Sequence, residues 1–384
     1  MQTVKKLSQR GLVAAALVMP LILLFYPSAD AQEQRIVDIP CGQDIAATIN
    51  ADPKDTPTDF VLGADCPFVT SETIVPSDGD EVECALSPTF VQRGPAFDPT
   101  TRCTVAGDPS LENVFRPIGK GGTTATVRFE GIKITGGEFT GSSGTGAAIA
   151  EGSMSDASSH YGIEVMHNDA AGILSAKGTF NSVELTDNTN DPDALGFIGS
   201  GMKARDEVEV KNSYVHDTQG NGIWCDNSCH DSSSHPNGFW VHDNLVVRNG
   251  RAGIRFEEVG EASTAGEALI EDNEVHDNSF DANRGGISVR DAQNATIKNN
   301  HFGAATIEGV EYQPNSRDAA ITASDSGRSD RPDLSNIVVA NNALNGETVN
   351  GCGLPDTVVD CAEDTPWCVN IINHAYDLLR RYLP

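Results

Sequence analysis

Val210–Lys–Asn–Ser–Tyr–Val215, Val241–His–Asp–Asn–Leu–Val246, Ile270–Glu–Asp–Asn–Glu–Val275, Ile297–Lys–Asn–Asn–His–Phe302 and Val339–Ala–Asn–Asn–Ala–Leu344 align without gaps. Each opens on an apolar residue, has a small polar residue three on, and returns to an apolar one two further. The polar position holds Ser213, Asn244, Asn273, Asn300 and Asn342. Thr179 to Asp187 is a weaker copy. A second phrase recurs between them: Gly201–Met202, Gly222–Ile223, Gly253–Ile254, Gly286–Ile287 and Gly309–Val310, with Gly162–Ile163 and Gly172–Ile173 as candidate earlier copies. Gly222 and Gly253 stand 31 residues apart, Gly253 and Gly286 33 apart.

Repeats of this length with short strand signals and no long amphipathic helix predict a β-solenoid. One coil cannot bury its own apolar face, so stacked coils share one core. Asn at the same turn of successive coils would form an amide ladder. Gly before Ile suits a tight bend entering a strand. A sandwich or propeller would need hairpin signals, and the Gly–Ile and Asn phrases supply none. Residues ~60 to 346 would give about ten coils at this spacing. The fold class is therefore all-β, a right-handed parallel β-helix. A short helix over 44–51 would cap its N-terminal end, and Asn370 to Tyr382 has helical apolar spacing for a terminal helix.

The chain divides accordingly. Residues 1–31 read as an export signal: Lys5, Lys6 and Arg10 precede an apolar core over 11–25, and Ala29–Asp30–Ala31 is a cleavage site. A transmembrane anchor is the rival reading, but the apolar run is shorter than the ~20 residues that a span needs. Residues 32–120 hold the N-terminal cap and first coils, 121–346 the repeats, and 347–384 a Cys-containing tail. No later segment is apolar enough to cross a membrane, so the mature chain is expected outside the cytoplasm.

The formal net charge is −29, and cleavage would remove three basic residues against one acidic. Such a surface repels nucleic acid and anionic membranes. An acidic polysaccharide would need cations or a local basic patch. All nine cysteines lie beyond residue 31, which makes disulfides plausible in an exported chain. No CxxC pair or Cys/His cluster has zinc-like spacing. The odd count leaves at least one thiol unpaired or paired to another molecule, and the connectivity is open.

The stretch Gly201–Met–Lys203, Tyr214–Val–His–Asp217, Gly222–Ile–Trp–Cys–Asp226, Gly253–Ile–Arg–Phe–Glu257 and Gly286–Ile–Ser288 resembles bacterial secreted parallel β-helix repeat proteins of the pectate-lyase-like superfamily. The resemblance covers roughly residues 120 to 346. It implies a fold shared by pectate lyases, polygalacturonases, alginate epimerases, chondroitinases and phage tailspikes, and it names no one reaction. Polygalacturonase-like Asn–Thr–Asp and Gly–His–Gly motifs and a pectate-lyase arginine–proline signature are absent from the sequence.

Strand alternation then sorts side chains. Met202/Ala204, Ile223/Cys225, Ile254/Phe256 and Ile287/Val289 face in. Lys203/Arg205, Trp224/Asp226, Arg255/Glu257 and Ser288/Arg290 face out, with Glu311/Gln313 a less regular copy. Neighbouring coils stack about 4.8 Å apart, so the outward set would form one patch. Lys203, Asp226, Glu257 and Arg255 are the candidate catalytic residues; Trp224, Arg205, Arg290 and His216 are the candidate substrate contacts. Trp224 offers a flat apolar face to a pyranose. Asp226 and Glu257 would form an acid/base pair or hold calcium, which suits oxygen ligands. The cations would neutralise a uronate, and one of them, or His216, would abstract the proton α to its carboxylate. His216 and His276 occupy matching positions and also read as surface histidines on a turn. Cys225 reads as an inward thiol or as a partner of Cys229. The expected function is action on, or binding of, an extracellular uronate-containing polysaccharide. The competing expectations are a non-catalytic glycan-binding protein and a purely structural one.

Overall fold

The coils of the repeat region run through three strand segments, and the first of them opens the sequence repeat. In the computed structural model, residues 34–349 are described apart from 54, 65, 87–102, 118–125, 142–145, 152–157, 197, 227–228, 230–237, 258–267, 281–284, 316–319, 325–331, 333 and 345–346. The expected export signal and terminal helix, and Cys352, Cys361 and Cys368, lie outside the described residues, as does most of 227–238.

The apolar residue that opens the repeat lies in one inward column. Phe60, Val82, Phe129, His160, Phe180, Val210, Val241, Ile270, Ile297 and Val339 pair in parallel register from coil to coil. Their strands form the first sheet. The residues after the turn, Tyr214–His216 and its counterparts, form a second sheet of 11 strands, the last antiparallel. The Gly–Ile phrase begins a third sheet, which includes Asn221–Cys225, Ile254–Glu257 and Ile287–Arg290. Two long strands, Ala171–Asn181 and Ser200–Lys211, run from the third sheet into the first and join them as one 17-stranded sheet. The chain is a right-handed parallel β-helix.

The turn between first and second sheets repeats one device. Asn212, Asp243, Asp272, Asn299 and Asn341 take left-handed backbone with φ of 50 to 56°. Asn and Asp pay less for this than other side chains. The next residue enters the ladder. Ser213 N–H donates to Asn244 Oδ1 at 2.9 Å, and both the backbone N–H and Nδ2 of Asn244 donate to Asn273 Oδ1. Asn273 repeats this to Asn300, and Asn300 to Asn342. Earlier coils place Ile132, Ile163 and Val183 here, so the ladder starts at Ser213.

A second ladder, unread in the sequence, lies at the turn into the third sheet. Thr218 N–H donates to Asn249 Oδ1, Asn249 to Asn278, and Asn278 to Asn315. This ladder explains the glycines better than a tight bend does. A Cβ on Gly222 would lie 2.5 Å from the Gly253 carbonyl oxygen and 3.0 Å from Asn249 Nδ2. Close approach between coils requires glycine there.

Three expectations are corrected. The solenoid begins before residue 60: Arg35–Ile39 pairs with Thr58–Leu62. The short helix, Ile45–Asn50, lies between those strands, N-capped by Asp44, and buries Ile45, Ala46 and Ile49. Gly309–Val310 belongs to no coil strand of the third sheet, where Ile321 follows Ile287. It sits in a hairpin of Ala305–Ile307 and Val310–Tyr312, whose turn residues Glu308 and Gly309 both have positive φ. Gly162 is a left-handed turn residue ahead of the second sheet, with φ of 63°. Cys225 bonds Cys229, and Cys41–Cys66 and Cys84–Cys103 staple the N-terminal coils.

One inward position is polar. His160 lies between Phe129 and Phe180, with ring centroids 5.1 and 4.8 Å away. Its Nδ1 accepts from Phe129 N–H, so Nε2 carries the proton, 2.7 Å from Glu151 Oε1, and both side chains are fully buried. The other Glu151 oxygen accepts from Lys177 N–H. His160→Phe would keep the aromatic stack and strip a buried carboxylate of its partner. We expect a loss of about 3 kcal/mol or more in chemical denaturation, largely recovered in His160→Phe/Glu151→Leu. Asn273→Ala would orphan donors of Asn244 and an acceptor from Val241, and should cost about 1–3 kcal/mol by the same measurement.

Candidate functional site

The third sheet carries the outward patch. Lys203, Trp224, Arg255 and Ser288 stand in one register column on four successive strands. Their inward neighbours Met202, Ile223, Ile254 and Ile287 are fully buried and hold the register. Lys203 Nζ lies over the Trp224 ring at 4.0 Å and reaches Asp226 Oδ2 at 2.8 Å. The Arg255 guanidinium lies over the same ring at 4.9 Å and pairs with Glu257. The indole is thus gripped between two cations, and each cation is held by a carboxylate on its open side.

Burial changes what this patch can do. Trp224, Arg255 and Glu257 are each only 4 % exposed. The expected bare aromatic face is therefore not available: both neighbouring cations stack on Trp224. Its indole N–H finds no hydrogen-bond acceptor among the described residues. Lys203 and Asp226 form the more open edge, with side chains 15 % and 24 % exposed. Arg290 is in register with Glu257 but leans to Asp291 at 3.5 Å. Arg205 lies one residue past the paired Ala204 and is exposed. The structure therefore brings Lys203, Trp224, Asp226, Arg255 and Glu257 together, with Arg290 and Arg205 at the margin.

Calcium takes about six to eight oxygen ligands. Asp226 and Glu257 do not fit that need, because each carboxylate already faces a fixed cation. Among the described residues, Glu81, Glu83 and Glu130 are the acidic groups that meet closely, on the outward face of the first sheet. Arg128 already bridges Glu81 and Glu130 there. Burial pushes the Glu81 carboxyl up to about 7, with Arg128 opposing and Asp59, Glu83 and Glu130 adding.

His216 is on a different face. It belongs to the second sheet, in one column with Thr186, Val247 and His276. These are strand residues, not turn residues, and His276 is 1 % exposed. His216 stacks on Tyr214 at 3.8 Å and contacts Asp217 and Glu184. Burial would lower its pKa, but those two carboxylates outweigh it and hold the ring above its ordinary value. Asp217 is likewise held well below the carboxylate range: burial opposes, and hydrogen bonds from Arg248 and His216 prevail. The hairpin of 305–312 lays Ile307, Val310 and Tyr312 over Tyr214, Leu245 and Val247. The hairpin covers the apolar residues of this face, while Arg248 and Asp217 keep side chains 32 % and 43 % exposed.

No family model matches the chain, and no curated protein matches it. Solved structures with a similar course include the Dettilon tailspike protein, at 15 % identity and a TM-score of 0.43 over 75 % of this chain and 56 % of that one. The chain thus spans about half the length of that tailspike. A mannuronan C-5 epimerase A-module from Azotobacter vinelandii matches at 12 % identity and 0.42 over 78 % and 83 %. A pectate lyase matches at 12 % and 0.42 over 87 % and 90 %. Scores and identities this low assign no activity.

The raised Glu81 carboxyl predicts a pH dependence with a definite sign. The folded chain keeps this proton up to about 7, while the unfolded chain releases it near 4.5. Stability from this group is therefore present at low pH and lost as pH rises through that window. Glu81→Gln should leave the melting temperature near that of wild type at pH 4.5 and raise it above wild type at about pH 8. Equal effects at both pH values would contradict it.

Proposed function

We propose that this protein is an exported β-helix that binds a uronate-containing polysaccharide at the third sheet and transforms it there by lyase or epimerase chemistry. One observation carries the reading: two cations, in register on the strands either side of Trp224, stack on one outward aromatic ring. A buried ion pair rarely adds stability over apolar packing. A charged core on an outward sheet face therefore favours function over fold. Arg255, fixed by Glu257, is the clamp for a uronate carboxylate, and neutralising that carboxylate acidifies the proton beside it. Lys203 and Asp226, at the open edge, are the pair that moves that proton. In a lyase, loss of the proton expels the sugar oxygen on the next carbon and leaves an unsaturated uronate. The disulfides Cys41–Cys66, Cys84–Cys103 and Cys225–Cys229 suit an oxidising compartment, in keeping with export, and among the described residues no helix is long and apolar enough to cross a membrane.

A second reading has its own observation: every cation of the patch already holds a carboxylate. A binding protein without turnover would look the same. The two separate in one experiment. The protein is incubated with galacturonan, alginate and chondroitin, with and without calcium, while ultraviolet absorbance and reducing ends are followed and binding is measured in parallel. Turnover on an acidic glycan, lowered about 100-fold or more in Lys203→Ala, is the expected result. Binding without product, unchanged in Asp226→Asn and Glu257→Gln and lost in Trp224→Ala, would establish the second reading. Neither binding nor turnover on any acidic glycan would end both.

A further inference from the structure

We infer that the outward face of the first sheet holds a separate binding site for a neutral polysaccharide, centred on Trp240. Trp240 stands on the strand Phe239–His242, facing away from the core, which takes Phe239 and Val241. It is half-buried, unlike Trp224. One ring face packs on His242, with centroids 4.3 Å apart. Among the described residues, no ring or cation stacks on the other. The indole N–H donates to Glu271 at 3.0 Å, which fixes the ring.

The surroundings are polar, pre-oriented and acidic. On the preceding coil, Glu209 meets His242 Nε2 at 3.2 Å and Lys211 at 2.9 Å. On the following coils, Lys298 holds Glu271 at 3.0 Å. Asp243 takes the other nitrogen of His242 at 2.8 Å. All these groups are fixed by one another and only partly buried, so they keep lone pairs and N–H groups for sugar hydroxyls. Neighbouring strands lie about 4.8 Å apart, so Lys211, His242, Glu271 and Lys298 form one row beside Trp240, which suits a chain ligand.

Charge decides the class of chain. Carboxylates outnumber lysines around Trp240, and the whole protein carries −29. A polyuronate would be repelled. An aromatic plane flanked by carboxylate acceptors complements a neutral pyranose, whose C–H face packs on the ring and whose hydroxyls donate to the acids. The third-sheet patch, where cations flank the indole, has the opposite complementarity. The two sites would let one molecule anchor on a neutral glycan and engage an acidic one.

The test uses the full chain with hexasaccharides of xylan, mannan and β-glucan as neutral probes, and oligogalacturonate as the acidic one. Isothermal calorimetry should show binding of at least one neutral probe, weakened about tenfold or more in Trp240→Ala. Lys203→Ala should leave that binding unchanged, which separates this site from the third-sheet reading. A second measurement on unmutated protein avoids any folding defect. N-bromosuccinimide should oxidise Trp240 but not Trp224, and the bound neutral probe should protect Trp240, as read by mass spectrometry of peptides. Absence of binding to every neutral probe would overturn the inference. So would full affinity in a folded Trp240→Ala, equal loss in Lys203→Ala, or no protection of Trp240.

Discussion

Every other feature of this molecule depends on the coil-to-coil contact at its turns. A left-handed Asn or Asp turns the chain, and the ladder residue behind it is buried, with its amide oxygen satisfied by donors of the preceding coil. Such groups are expensive to leave unpaired. A one-residue slip in any strand would break the ladder and turn the apolar column outward together. The register is therefore fixed twice, by a polar and an apolar constraint that agree. The second ladder, Asn249 to Asn278 to Asn315, adds a third lock where the glycines bring backbones close.

That rigidity has a functional consequence. Side chains two residues apart on one strand, or at one position on successive strands, hold fixed spacing without help from loops. The Lys203–Trp224–Arg255 column and the Trp240–His242–Glu271 group both use this. Sites on ordered strands are better positioned than sites on loops.

Much of the fold was legible because its signals are local. The polar position of the repeat reads directly as the ladder, and Gly before Ile marks the third sheet. Alternation correctly sorted Ile223, Cys225, Ile254 and Phe256 inward. What alternation cannot express is whether an outward residue is covered. Trp224 and Trp240 are both outward by period, yet cations close over the first and leave the second half-open. His216 was misplaced because the two turns of a coil are short, and the sequence does not say which of three faces a strand belongs to. Gly309–Val310 imitates the Gly–Ile phrase, but Glu308–Gly309 is a hairpin turn. The second ladder had a signal, an Asn three residues after a buried valine in Val246 to Asn249 and Val275 to Asn278, which is the spacing of the first.

The three faces of the solenoid have diverged under one backbone. The second sheet has its apolar residues covered by a hairpin and carries beside them the hydrogen-bonded network His216–Asp217–Arg248. The third sheet buries an indole between two paired cations. The first leaves an indole beside carboxylates and open to solvent. The differences come from side-chain charge and, on the second sheet, from the hairpin laid over it. In a protein of net charge −29, two cations gather on one indole of the third sheet, each held by its own carboxylate, and this local arrangement comes from side chains that the shared backbone does not dictate.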